Sequence, residues 1–262
     1  MTDGRSGPDG AAPGRAAPAG AGSPPEFAAA LAAAANDRAT IYSALSLAFY
    51  APDEALVGSV LDASWTTAVG SAIGWLGRDA ARYGPGLRAV ADASERLRAE
   101  GPEAGLRRLR VAYAALFEGP GIPAVVPFET WWTDHGESGG GPLNGPSTAR
   151  VALIYRENGL ARATGHPDVP DHVATELEFC HAMCAREAQA WARGDVAAAA
   201  GIRRGTDAFL RTHPGRWWPR LAAAVRRASQ DSLYAGLADL LEAHLSIEVG
   251  AGMGRDDFPW SS

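Results

Sequence analysis

The sequence predicts an all-α protein, a single-domain bundle of about ten helices. Apolar residues recur at spacings of three and four through nearly every segment beyond residue 25. No stretch alternates apolar and polar residues with the period of two that a half-buried strand needs. Paired breakers, Gly101-Pro102 and Gly119-Pro120, punctuate the periodic segments where helices would stop.

Taken in order, Ile41, Leu45, Ala48 and Phe49 form the apolar face of an Ala-rich helix that ends near Tyr50, before Pro52. Leu56, Val60 and Leu61 predict a short second helix, and Leu87, Val90, Ala91 and Leu97 a third, stopped at Gly101-Pro102. From Glu103, the series Leu106, Leu109, Tyr113, Leu116 and Phe117 gives a further amphipathic helix. Residues 118–146 are a long Gly- and Pro-rich connection that holds Phe128-Glu129-Thr130-Trp131-Trp132. Connections of such length are either functional or disordered, and two adjacent Trp argue that the first half is packed. Helices resume at Ser147, expected as an N-cap, and run to Asn158-Gly159. Four more follow: Pro170 to about Trp191, Asp195 to Arg211, Trp217 to Arg227, and Asp231 to about Val249. Residues 26–250 are thus expected to form the helical domain, between a disordered Gly/Ala/Pro-rich tail (1–25) and a frayed C-terminal tail (251–262).

Composition narrows the function. At 262 residues with 47% hydrophobic side chains the chain can bury a sizeable core. Arg supplies all the cationic side chains and Lys is absent, which removes Schiff-base and P-loop lysine chemistry. A net charge of −6 argues against nucleic acid as a partner and suits one that carries Arg or Lys. No apolar run is long enough to span a membrane, so no stable membrane insertion is expected. The first residues lack the apolar core of a signal peptide, Arg5 and Arg15 are not twinned, and only two Cys occur. The expected compartment is the cytoplasm.

The segment Pro170-Asp171-His172-Val173-Ala174-Thr175-Glu176-Leu177-Glu178-Phe179 carries the densest polar cluster, directly after the turn Gly165-His166-Pro167-Asp168. Pro is tolerated in a first helical turn, Asp171 favours the positive end of a helix dipole, and His172 and Glu176, four apart, share one face. Asp171 and His172 have two readings: a cap with its first-turn neighbour, or a binding cluster that reaches solvent beside the turn. Glu129 either satisfies backbone N–H groups in an irregular segment or, flanked by Phe128, Trp131 and Trp132, holds a cationic, apolar peptide with help from cation–π contact. Trp217 and Trp218 are expected in or at the edge of the core. Cys180-His181-x-x-Cys184 invites a metal reading that His172 would complete, but both Cys continue the apolar stripe of Val173 and Leu177. His181 projects about 100° away from Cys180. They are expected to be buried thiols, with no metal ligands and no catalytic residues.

Four segments together resemble the TorD/DmsD/NarJ family of redox-enzyme maturation chaperones. They are Arg38-x-x-x-Tyr42-x-x-Leu45-x-x-x-Phe49 with Pro52; Tyr113-x-x-Leu116-Phe117-x-Gly119-Pro120 followed by Pro127-Phe128-Glu129-Thr130-x-Trp132; Pro170-Asp171-His172 leading to Glu176-Leu177-Glu178-Phe179; and Phe209-Leu210-x-x-His213-x-x-x-Trp217-x-Pro219. Cys180 stands where the family usually has Met, Pro214 where Leu is usual, and Trp132 where Tyr is usual. The resemblance implies a TorD-like fold and no cofactor of the protein's own. It also implies a client: the apo catalytic subunit of a molybdopterin-containing oxidoreductase, its twin-arginine leader peptide, or both. Glu129, Trp132, Asp171, His172 and Glu176 are then the expected leader-binding residues, with Phe128, Trp131 and His213 as further contacts, and the chain is expected as a monomer or domain-swapped dimer. The rival readings are a metal-dependent enzyme built on Cys180, His181, Cys184 and His172, and a helical interaction module of unrelated purpose.

Overall fold

The computed structural model describes residues 25–134, 140–141, 143–160 and 169–251. The expected tails and the turn at 165–168 lie largely or wholly outside them. Eleven α-helices are described: α1 (Pro25–Phe49), α2 (Glu54–Leu61), α3 (Ser64–Ala72), α4 (Gly84–Glu100), α5 (Pro102–Phe117), α6 (Glu129–Thr133), α7 (Pro146–Glu157), α8 (Val173–Ala192), α9 (Val196–Thr212), α10 (Pro214–Ala228) and α11 (Ser232–Ala251). A 3-10 segment, Gly74–Tyr83, joins α3 to α4. Among the described residues the only β pairing is one isolated antiparallel bridge, Phe128 with His172. The fold is all-α.

Local chemistry explains most of the boundaries. Asp53 caps α2 by accepting the Leu56 N–H at 2.8 Å, and Asp195 caps α9 by accepting the Ala198 N–H at 3.0 Å. Pro occupies the first turn of α4, α5, α7 and α10, where its missing N–H has no intrahelical partner to lose. Helix α3 and the 3-10 segment are not among the elements the sequence predicts. Residues 62–83 are rich in Ser, Thr and Gly, although Trp65, Val69 and Ala72 do carry one buried stripe.

The central pair is α1 against α8. Ser46 Oγ donates to the Ala174 carbonyl at 2.9 Å, while Arg38, two turns earlier on α1, meets Cys184 and Glu187 further along α8. The two helices therefore run antiparallel. One apolar cluster extends from Ala39 to Leu245 and contains Tyr42, Leu45, Phe49, Leu177 and both Trp of α10. Helices α4 and α11 approach most closely at two glycines. A Cβ on Gly86 would stand 2.6 Å from Leu240 Cγ, and one on Gly236 would stand 2.9 Å from Ala89 Cβ. The contact depends on both side chains being absent.

A buried ionic network ties four helices together. Arg38 donates to Glu187 and Glu248 at 3.1 Å each, Arg203 donates to Glu248 at 3.1 Å, and Arg203 pairs with Asp207 at 2.8 Å. Burial alone would raise the Glu248 carboxyl, but the Arg38 and Arg203 guanidiniums outweigh it and hold the pKa at about 2. Arg38 also donates to Cys184 Sγ at 3.1 Å. Nothing in the local sequence around Arg38 announces this role, since its partners lie up to 210 positions away.

The start of α8 differs from expectation. The helix begins at Val173 rather than Pro170, and its N-cap is His172, whose Nδ1 accepts the Ala174 N–H at 3.2 Å. Pro170, Asp171 and His172 are drawn out of the helix because their backbone pairs with residues 127–129. The Glu129 N–H donates to the Asp171 carbonyl and the Val173 N–H to the Pro127 carbonyl, both at 2.9 Å. Ser147 is likewise not an N-cap: Gly145 precedes α7, and the Ser147 N–H donates to Asp134 at 3.0 Å.

Candidate functional site

The bridge between Phe128 and His172 brings the two motif segments of the middle of the chain into one junction. Asp171 turns its carboxyl to the other helix: Oδ2 accepts the Thr130 N–H at 2.9 Å and so caps α6, a helix of only five residues. The Trp132 indole N–H donates to the Val126 carbonyl at 2.8 Å, and Arg220 of α10 lies over the Trp132 ring at 5.3 Å. The cation–π partner of this ring is thus supplied by the chain itself. Trp131 and Phe128 are half-buried, and Phe128 meets the His172 ring edge-on at 5.1 Å.

Behind the bridge lies an acid cluster. Glu129, Asp171 and Glu176 are each fully buried. His213 Nδ1 stands 2.8 Å from Glu129 Oε2, and its ring stacks on Phe209. Glu176 Oε2 accepts both the Trp217 and the Trp218 indole N–H at 3.0 Å. Oε1 of Glu129 and Oε1 of Glu176 have no hydrogen-bond donor among the described residues. Burial drives the Glu176 pKa well above the usual carboxylate range, and the Glu129 and Asp171 charges and the hydrogen bond with Glu129 push it the same way. Burial raises Asp171 too, against the Thr130 N–H bond that lowers it.

All eight residues singled out in the sequence therefore gather at one junction, but not as an exposed carboxylate patch. The expectation that Asp171 and His172 reach solvent does not describe the structure: Asp171 is 0% and His172 7% exposed. The reason is the bridge, which folds the segment after the turn inward against residues 127–129. Trp217 and Trp218 are fully buried and serve as hydrogen-bond donors to the cluster as well as core. Two adjacent Trp on one helix, whose N–H groups both need partners when buried, are the sequence signal for that role.

Of the eight, His172 also lines a groove of about 1120 Å³ between the end of α1, α2, α7 and α8. Its apolar surface includes Leu47, Leu56, Tyr155 and Phe179, and the His172 ring stacks parallel to Tyr50 at 6.0 Å. Burial lowers the His172 pKa to about 4, so the ring is neutral at pH 7. The acids Glu129, Asp171 and Glu176 lie next to His172 in the chain or in space and do not themselves line the cavity.

The cysteines sit elsewhere in chemistry. Cys180 and Cys184 are free and fully buried, and burial pushes the Cys184 thiol up to about 12. His181 turns to the Ala39 carbonyl at 2.9 Å instead of joining them. Among the described residues no group of three or more His, Cys, Asp or Glu is placed to hold a metal ion, and no helix is long and apolar enough to cross a membrane.

Known proteins offer three comparisons. None of the curated proteins compared matches the chain. Among solved structures, the chain is similar to a crystal structure of an Archaeoglobus fulgidus protein assigned to redox enzyme maturation. The identity is 19%, over 80% of this chain and 93% of that one, with a TM-score of 0.46. Residues 80–223, more than half of the chain, match the family described as nitrate reductase delta subunit. That span holds the acid cluster, both motif segments of the bridge and both tryptophans of α10. The chain belongs to the nitrate reductase delta subunit family, the NarJ/TorD-type chaperones of redox-enzyme maturation.

Proposed function

We propose that this protein is a cytoplasmic assembly chaperone for a molybdopterin-containing oxidoreductase. It binds the apo catalytic subunit, its twin-arginine leader, or both, and holds the client open for cofactor insertion before export or membrane assembly. Family membership supports the maturation role. The observation that carries the binding role is the groove beside the Phe128–His172 bridge, an open apolar concavity on an otherwise acidic protein. In this reading the motif residues Glu129, Asp171 and Glu176 set the shape of the groove wall, Phe128, Trp131, Trp132 and His213 brace it, and His172 meets the client. The chain works as a monomer or domain-swapped dimer and performs no catalysis of its own.

The test is maturation of the client. In a host lacking this protein, the oxidoreductase is expected to accumulate with little molybdenum, and the wild-type chain should restore it. An enzyme fully loaded with cofactor in the deletion host would overturn the proposal. Calorimetry against the leader peptide and against the unloaded subunit separates the two modes of binding.

A further inference from the structure

Helix α1 outruns the helices it packs against. Arg38 meets Glu187 of α8 and Glu248 of α11, each at 3.1 Å. Both helices run antiparallel to α1, since Ser46 meets Ala174 and the Tyr42 ring lies 4.3 Å from that of His244. Thirteen residues of α1 precede Arg38, whereas five of α8 follow Glu187 and three of α11 follow Glu248. At 1.5 Å for each residue, about 12 Å of α1 projects past the end of α8 and about 15 Å past the end of α11. The projecting turns carry apolar side chains. Phe27 and Leu31, four apart, share one face. Phe27 is 37% exposed and Leu31 is half-buried. Neither belongs to the main apolar cluster, which starts at Ala39. Ile247 and Val249 are likewise half-buried where α11 ends, with the chain still heading towards Pro25.

We propose that residues 252–262 fold along these projecting turns of α1, with Phe258 and Trp260 seated on Phe27 and Leu31. Composition selects this occupant. Outside the described residues, the segments 1–24, 135–139, 142 and 161–168 hold no Phe, Trp, Tyr, Leu, Ile or Val, and 252–262 holds Phe258 and Trp260. Length allows it. Extended chain spans up to about 3.4 Å for each residue, so Phe258, seven beyond Ala251, reaches about 24 Å, more than the projecting length. One end of the segment is already fixed beside α1, which sets the effective concentration of the aromatics in the millimolar range, so a weak contact suffices. The clasp covers an apolar helix face and holds the last turn of α11, with Glu248, against α1. It requires no client and stands apart from the maturation role.

The test is the rate at which trypsin cuts after Arg255, which lies between Ala251 and the aromatic contact. Mass spectrometry of the released peptide 256–262 follows the open population of the segment in the full chain. The double variant Phe258→Ser/Trp260→Ser should raise this rate about tenfold, the factor that burial of one large side chain supplies. Phe27→Ser/Leu31→Ser, on the other side of the contact, should raise it equally. Val111→Ser, which alters a 70% exposed side chain of α5, should leave it unchanged. Thermal melts confirm that each variant is folded. Release from the wild-type chain as fast as from both double variants overturns the inference, because the segment is then free. A rise in the tail variant without one in the α1 variant also overturns it and seats the segment elsewhere. Protection that fades on dilution makes the occupant a second copy of the chain and overturns the clasp within one chain. If the segment is free and the Phe27 face instead protects the unloaded client subunit, the face serves a client and the inference fails.

Discussion

Trp217 and Trp218 donate their indole N–H groups to the same oxygen, Glu176 Oε2, each across 3.0 Å. Two neighbours on one helix point about 100° apart, so a single acceptor that serves both must sit at a fixed place between them. Glu176 is therefore locked by α10 as firmly as by its own helix.

That lock sets the first prediction. Glu176→Gln copies the protonated acid: its amide oxygen can accept both indoles and its NH2 can donate to Glu129. It should change stability at pH 7 by no more than about 1 kcal/mol. Glu176→Leu strands two buried indole donors and should cost about 1–3 kcal/mol for each. The Glu176 pKa is raised on folding, so its contribution is present at low pH and is lost as pH rises through the folded value. Urea titrations on the alkaline side should show the wild-type chain losing this component and the Gln variant keeping it. Parallel curves would count against a Glu176 that is protonated in the folded chain.

His172 makes the opposite slope. It is held neutral with a folded pKa of about 4, against about 6.5 in the unfolded chain. Its contribution is complete above the unfolded value and is lost as pH falls towards 4, with a slope of up to about 1.4 kcal/mol for each pH unit. His244, buried beside Tyr83, behaves alike. His172→Asn retains an N-cap and removes one titration, so its stability should fall less steeply between pH 6.5 and 4 than that of the wild-type chain.

Arg38→Met should be severe. It leaves Glu187 and Glu248 buried with less compensation, a loss of about 3–5 kcal/mol in chemical denaturation. Arg82→Ala, which breaks an exposed pair with Asp79, should change stability by about 0.5 kcal/mol or less. Acid separates the two further. Glu248 contributes above its unfolded pKa and is lost only as pH falls to about 2, and the Arg38 variant forfeits much of that contribution throughout.

Gly236→Ala should push α11 away from α4, since the new Cβ meets Ala89 Cβ and the Gly86 carbonyl oxygen at 2.9 Å. Overpacking of this kind costs about 1–3 kcal/mol. Gly58→Ala on α2 has nothing within 4 Å and should stabilise by about 0.5–1 kcal/mol. Thermal melts of both variants check the pair, and a neutral Gly236→Ala would show that the helices can part without loss.

The helices that pack on the core are legible because their apolar positions repeat at helical period. Leu106, Leu109, Tyr113, Leu116 and Phe117 leave no other reading. What the sequence conceals is the partner of each polar group. Asp171 before an apolar run reads as the cap of its own helix, yet it caps α6, 41 positions earlier. No local rule says which of two helix starts an Asp will serve. Glu129, Asp171 and Glu176 suggest contact with a client because acids are rarely fully buried unless paired. Their partners, His213, the Thr130 N–H and the α10 indoles, come from other elements. The groove is hidden for the same reason: its lining comes from six helices spread across the chain, α1, α2, α3, α5, α7 and α8.

The 210 positions between Arg38 and Glu248 also govern the order in which this protein can be finished. During synthesis α1 emerges first, and it waits for α8 to cover its apolar face and for α11 to supply a carboxylate. Until α11 leaves the ribosome, the guanidinium of Arg38 has no complete set of partners. The buried ion pairs of α1 are thus completed only by α11, and the order of synthesis makes Arg38 one of the first groups made and one of the last to be fully paired.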